Sequence, residues 1–217
     1  MPFADLTPAD LAPGDAKSAG LDLSAFTVHR IRDAAHPCFS AAYRWLWEEF
    51  GAKDEMERRV VIETRFGAQA ELRYEMVYVE RDGVRAAVRD HTAIFCEGEM
   101  PAVVVHLSHN LVAPSERRTG LAGWMRAVPL QTARTCAVAN GSAREAPITL
   151  VGEMEYDDGS DADRAIRLRA YEKAGFLKID PHRVAYHQPD FRAPEVIDAT
   201  GGARPLAFQL IVRRVGR

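Results

Sequence analysis

Residues 101–112 read PAVVVHLSHNLV and hand over to APSERRTGLAG at 113–123. Consecutive β-branched apolar residues bury side chains on both sides of an extended chain, so this run predicts a central strand in a sheet covered on both faces. The turn after it carries Gly120, Ala122 and Gly123, and an apolar-periodic helix follows over about 118–139. A buried strand that ends in a glycine turn and a helix is the unit of an α/β fold, and no purely helical or purely β arrangement accommodates it.

The rest of the chain reads consistently with that unit. Residues 26–33 alternate as a strand, and 36–52 place Phe39, Ala42, Tyr43, Leu46 and Phe50 at helical spacing, with Gly51 as a stop. A more charged helix covers 54–66. Two strand-like runs across 72–95 meet at Asp82-Gly83, a strong hairpin signal. Pro129 predicts a kink or an early end in the helix after the glycine turn. Further strands are expected at 148–156, 176–181 and 208–215, with a helix over 164–175 and an irregular Pro/Gly-rich segment at 188–205. Residues 1–24 read as an irregular N-terminal arm before a single domain at 25–217.

Read by twos, the central strand puts Val104, His106, Ser108, Asn110 and Val112 on one face, opposite Val105, Leu107 and His109. Polar residues in a row on one face of such a strand are costly unless they border a cavity. His106 has a side chain able to accept a proton near neutral pH, and Ser108 is placed to relay one. Glu153 and Glu155, on one face of the 148–156 strand, are rival bases or anchors for an ammonium group. At the turn, a helix beginning near Arg118 points its first amides at whatever lies before it, and that end favours an anion. Neither G-x-x-x-x-G-K-[ST] nor G-x-G-x-x-G is present, which argues against nucleoside triphosphatase and dinucleotide chemistry.

The turn's Arg117-x-x-Gly120-x-Ala122 fits R/Q-x-x-G-x-G/A, and its surroundings fit V-x-P-x-x-R-x-x-G-x-G/A. Further on, RAYEKAGF at 169–176 fits Y-E-K-x-G-F. These two motifs, in this order and within this element order, resemble the GNAT superfamily of acyl-CoA-dependent N-acyltransferases over about residues 26–215. The resemblance implies a mixed α/β fold with a central mixed sheet of about seven strands, the fourth and fifth splayed apart, and helices on both faces. It implies acetyl-CoA or another acyl-CoA as co-substrate. The pyrophosphate would lie on the turn, with Arg117, Arg118, Thr119, Gly120, Leu121, Ala122 and Gly123 as contacts. The backbone of Asn110, Leu111 and Val112 would pair with pantetheine.

In the same way the resemblance implies Tyr171 as the proton donor to the leaving thiol and places His106, six positions before Val112, where relatives carry a base. Arg164 stands where relatives often have Asn, seven positions before Tyr171, and is expected to reach a phosphate instead. The implied reaction is direct acetyl transfer to the primary amine of a small molecule. Protein amines, or a non-catalytic acyl-CoA-binding role, are the alternatives. Tyr43, Trp45, Trp47, Tyr186, Phe191, Glu48 and Glu49 lie in the regions expected to wall the acceptor site, although core packing also accounts for most of these aromatics.

Composition narrows the partners. A formal net charge of -3 gives no general affinity for nucleic acid or an anionic membrane. Residues 1–15 lack a basic start and an apolar stretch, and no apolar run is long enough to span a bilayer. Three scattered cysteines without Cys-x-x-Cys point to reduced thiols in a cytoplasmic setting. No metal is expected, because His106 and His109 should point to opposite faces with no third ligand beside either. A homodimer is compatible with the resemblance.

Overall fold

The computed structural model describes residue 3 and residues 5–67, 70–156, 159 and 162–215. Among them, strands β1 (Phe26–Ile31), β2 (Leu72–Arg81), β3 (Val84–Cys96), β4 (Ala102–Val112), β5 (Ile148–Glu155), β6 (Leu177–Lys178), β7 (Tyr186–Gln188) and β8 (Leu206–Val215) form one sheet. The order is β1-β2-β3-β4-β5-β8-β6, with β7 added on β8. Helices α1 (Phe39–Phe50) and α2 (Arg59–Arg65) lie between β1 and β2 in the chain. Helix α3 (Leu121–Ala139) joins β4 to β5, α4 (Ala162–Lys173) follows β5, and the short α5 (Pro194–Ala199) precedes β8. The mixed α/β architecture is the expected one. The segment 188–205 is more ordered than its Pro and Gly content predicts, because Pro194 starts α5 at a position where a missing N–H does no harm.

One face of the sheet is covered by α1 and α2, whose Phe39, Leu46 and Ile62 pack on Ile31, Tyr74, Met76, Tyr78 and Val88. The other face is covered by α3. Its first half packs on Val77, Val79 and Ala87, and its second half packs on Phe95, Val103, Val105 and Leu150. Leu168, Ala174 and Phe176, from α4 and the turn after it, close the same side. The β2–β3 hairpin turns on Asp82 and Gly83, both left-handed, as a two-residue loop requires.

β4 and β5 are parallel and pair only from Val103↔Ile148 to Leu107↔Gly152. Beyond that point β4 stays with β3 as far as Val112↔Ala87, and β5 stays with β8 as far as Glu155↔Phe208. The sheet therefore opens a wedge between two strands that each keep one partner. β4 also carries an extra residue. Arg89 pairs with Asn110 and His91 with Leu107, so Ser108 and His109 together oppose Asp90.

The bulge changes which way the end of β4 faces. His106 and Ser108 share a face, as expected, but His109 joins them, while Leu111 packs with the α1 cluster and Val112 with the α3 cluster. A buried carboxylate holds the bulge. Asp90 Oδ1 accepts from the His109 amide at 2.8 Å and meets His109 Nδ1 at 2.9 Å, and Asp90 Oδ2 accepts from the Tyr74 hydroxyl at 3.0 Å.

α3 does not end at Pro129. It runs unbroken from Leu121 to Ala139. Proline leaves the carbonyl four residues earlier without its helical donor. That carbonyl belongs to Met125, and buried Arg89 Nη1 donates to it at 2.5 Å.

Candidate functional site

The wedge places His106 beside Glu153. His106 sits next to the last β4–β5 pairs, and Glu153 is the first β5 residue past them. His106 Nε2 meets Glu153 Oε1 at 2.6 Å, and Ser108 Oγ lies 3.4 Å from His106 Nδ1. The Tyr186 hydroxyl donates to the same carboxylate from β7. Burial alone would raise the Glu153 carboxyl, but the bonds from His106 and Tyr186 outweigh it and hold the group below its ordinary range. With Glu153 ionised, Nε2 carries the ring proton, and the lone pair of Nδ1 faces Ser108. The two residues that compete as bases in the sequence are thus one carboxylate–imidazole pair. Glu155, the other rival, is taken up by ion pairs with Arg164 and Arg167.

A cavity of about 260 Å³ opens on His106, lined also by Arg65, Leu72, Tyr74, Thr92 and Ile94. It lies on the α1/α2 side of β2, β3 and β4. Of the residues expected to wall an acceptor site, Tyr186 meets the dyad directly. Tyr43 and Trp45 are core, Glu48 pairs with Arg85, and Glu49 pairs with Lys53. Leu72, Thr92 and Ile94 escape sequence reasoning because nothing local distinguishes a strand residue that lines a cavity from one that packs.

Tyr171 lies on the opposite side, half-buried against the α3/α4 core and edge-on to Phe176 with ring centres 5.0 Å apart. It is within electrostatic reach of Arg89 and Arg126. No hydrogen bond joins it to His106, Ser108 or Glu153 among the described residues. His109, expected on the far face from His106, is engaged by Asp90 and by the Glu55 carbonyl at 3.0 Å. Among the described residues no group of three or more His, Cys, Asp or Glu is arranged to hold a metal ion.

The glycine turn lies at the mouth of the wedge. Its backbone passes through two left-handed residues, Arg118 (φ 67°) and Gly120 (φ 105°). For Arg118 this conformation costs about 1–2 kcal/mol, and backbone bent in this way gathers amides into a concave, anion-accepting surface. Gly120 is the N-cap of α3 and offers no side chain to its amides; Thr119 Oγ1 accepts from the Leu121 amide at 3.3 Å. Arg117 and Arg118 are exposed, and no acid pairs with either among the described residues.

The faces of Gly120 and Gly123 are not open. The N-terminal arm forms three 3-10 segments, Pro8–Asp10, Pro13–Gly20 and Leu23–Ala25, and the second runs across these faces. A Cβ on Gly120 would meet Ser18 Cα at 3.0 Å, and one on Gly123 would meet Ser18 Oγ at 2.2 Å. The Ser18 carbonyl accepts from Trp124 Nε1 at 2.7 Å, and Arg126 Nε donates to Asp15 at 2.8 Å. Buried in the same region, Arg89 Nε and Nη2, Asn110 Oδ1 and Arg213 Nη1 have no partner among the described residues.

No family model and no curated protein matches the sequence. Solved structures with a similar course include the ribosomal-protein-S18-alanine N-acetyltransferase from Escherichia coli, 13% identical, covering 88% of this chain and 95% of its own, TM-score 0.47. A GNAT-family acetyltransferase from Streptococcus pneumoniae is 9% identical, covering 88% and 99%, TM-score 0.44. Arabidopsis thaliana Naa50, in complex with the bisubstrate analogue CoA-Ac-MVNAL, is 10% identical, covering 87% and 98%, TM-score 0.47. In outline the chain is similar to GNAT acetyltransferases.

Proposed function

We propose that this chain is an acyl-CoA-dependent N-acyltransferase that moves an acetyl group directly to the primary amine of a small molecule. The observation that carries the reading is the meeting, at one wedge, of a glycine turn able to hold a pyrophosphate and a carboxylate–imidazole pair able to take a proton. The turn's two left-handed residues and the guanidinium nitrogens of Arg89 and Arg213 behind it, without a partner among the described residues, fit a phosphorylated ligand, with Ser18 lying across the glycine faces.

When bound, acetyl-CoA supplies an activated thioester. The amides from Arg118 to Gly123 would hold its pyrophosphate, and the backbone of Asn110, Leu111 and Val112 its pantetheine. Arg164, paired with Glu155, would also reach a phosphate. An alkyl ammonium with a pKa of about 10 must lose a proton before it attacks. His106 Nδ1 takes that proton, directly or through Ser108, while Glu153 stabilises the imidazolium. The Tyr171 hydroxyl protonates the departing thiolate. The cavity's apolar walls and modest volume suit an amine with a small apolar part.

A non-catalytic acyl-CoA-binding module is the second reading, favoured by the arm lying over Gly120 and Gly123. Free-thiol release from acetyl-CoA across an amine panel separates the two, with calorimetry as a control for binding. Turnover that His106→Ala abolishes supports the enzyme. Stoichiometric binding, lost in Gly120→Trp, with no turnover for any amine leaves the module. No binding of acetyl-CoA or longer acyl-CoAs by the folded protein removes both.

A further inference from the structure

Three arginines converge beneath the arm with one carboxylate among them. Arg126, on the second turn of α3, binds Asp15 through both Nε and Nη2. Arg213, on β8, lies within electrostatic reach of Asp15 and Arg126 and has a buried Nη1 without a partner among the described residues. Arg89, fully buried on β3, feels Arg126 and Tyr171, and two of its three guanidinium nitrogens have no partner among the described residues. Asp90, the other acid near Arg89, is engaged by His109 and Tyr74. Like charges within electrostatic reach of one another are unfavourable, and a single carboxylate compensates them only in part. The arrangement suits a ligand with more negative charge than Asp15 supplies.

Most of the segment that supplies Asp15 is exposed. Of Pro13–Gly20, only Asp15 and Ser18 are buried. Both ends are anchored independently, by buried Leu11 and Ala12 on one side and by Leu21 and Leu23 against the α3 cluster on the other. Between those anchors the segment bridges the first turn of α3, at Gly120 and Gly123, and the last turn of α4, where Gly14 packs on the Lys173 carbonyl. It therefore spans the approach to the wedge on the α3/α4 side.

We propose that Asp15 is an intramolecular stand-in for a phosphate group on an anion site made by Arg126, Arg89 and Arg213, and that Pro13–Gly20 is a strap that must lift before an acyl-CoA can seat its phosphates there. The inference rests on the cofactor reading above and adds to it a site and a gate. The resting chain is self-occluded, and acyl-CoA competes with the chain's own carboxylate.

Hydrogen exchange on the full chain, with and without CoA, tests this without any substitution. The reporters are the Asp15 amide, bonded to the Ala12 carbonyl, and the Leu21 amide, bonded to the Ser18 carbonyl. CoA should speed exchange at both. Calorimetric titration of CoA into Asp15→Asn, checked for folding by circular dichroism, should show affinity raised at least about tenfold over the unaltered chain, because an occluding state no longer taxes binding. Binding only by the variant supports the strap equally. CoA binding that leaves both amides as slow as before, with equal affinity in Asp15→Asn, overturns the strap and leaves the cofactor reading standing. If neither protein binds CoA, the cofactor reading fails and the strap with it.

Discussion

Glu75 offers a test of how α3 is seated. Its side chain is fully buried and accepts from Arg30 Nε at 2.8 Å and Arg32 Nε at 2.7 Å, and also from Arg30 Nη2 and Thr132 Oγ1. Arg30 also donates to Gln131, so the cluster ties β1 and β2 to the middle of α3. Burial alone would raise the Glu75 carboxyl, but the Arg30 bonds and charge outweigh it and bring the pKa from 4.5 to about 2. That difference corresponds to about 3 kcal/mol. Removing one partner of a buried ion pair independently costs about 3–5 kcal/mol, so the two routes agree. Glu75→Gln should therefore lower the unfolding free energy at pH 7 by about 3 kcal/mol in urea titrations followed by circular dichroism, with the m-value unchanged. The pH dependence has a definite sign. A carboxyl depressed on folding contributes stability that is complete above its unfolded pKa and is lost as pH falls through its folded one. The gap between the two proteins should be full above about pH 4.5 and close towards pH 2. A gap under about 1 kcal/mol at pH 7, or one that does not change with pH, would refute the view of Glu75 as a charged clamp.

Three further outcomes are expected. His106→Ala should lower kcat by about 10²–10⁴ and Glu153→Gln by a smaller factor, read as thiol release; equal activity in all three proteins would remove the dyad from the chemistry. Arg89→Met removes a buried cation whose desolvation costs several kcal/mol and leaves the Met125 carbonyl unpaired at about 1–3 kcal/mol, so Tm should hold or rise while CoA affinity falls. A fall in Tm with affinity intact would make Arg89 purely structural. Gly123→Ala gains helix propensity of about 1 kcal/mol but pushes on Ser18 and Asp15. Trypsin should then cut after Lys17 faster while Tm changes little, and unchanged cleavage would show that the arm absorbs the methyl group without moving.

Much of this arrangement is legible in the sequence, and the exceptions share a cause. The central strand, the glycine turn and the Asp82-Gly83 hairpin follow from local rules of burial and backbone freedom, and each appears where those rules put it. The bulge at Ser108 and His109 does not, because what fixes it is Asp90 on another strand. The consequence is that Asn110 and Val112 leave the face assigned by alternation. Pro129 reads locally as a break, yet the donor that mends it is Arg89, distant in sequence. His106 and Glu153 read as competitors because sequence separation conceals contact, and the arm reads as irregular because its partners, Trp124, Arg126 and Arg134, lie far along the chain.

The extra residue in β4 also makes the strand a joint between two alternations. Before it, odd-numbered residues such as Val103 and Val105 point to α3; after it, Val112 does. Losing one of the two residues opposite Asp90 would restore a plain ladder and keep Leu111 towards α1 and Val112 towards α3, because the unpaired extra residue is all that separates the two alternations. What such a loss would remove is one of two successive side chains on the α1 side, and with His109 the contact that Asp90 makes there. Homologous chains that lack one residue here should therefore keep the faces of Leu111 and Val112.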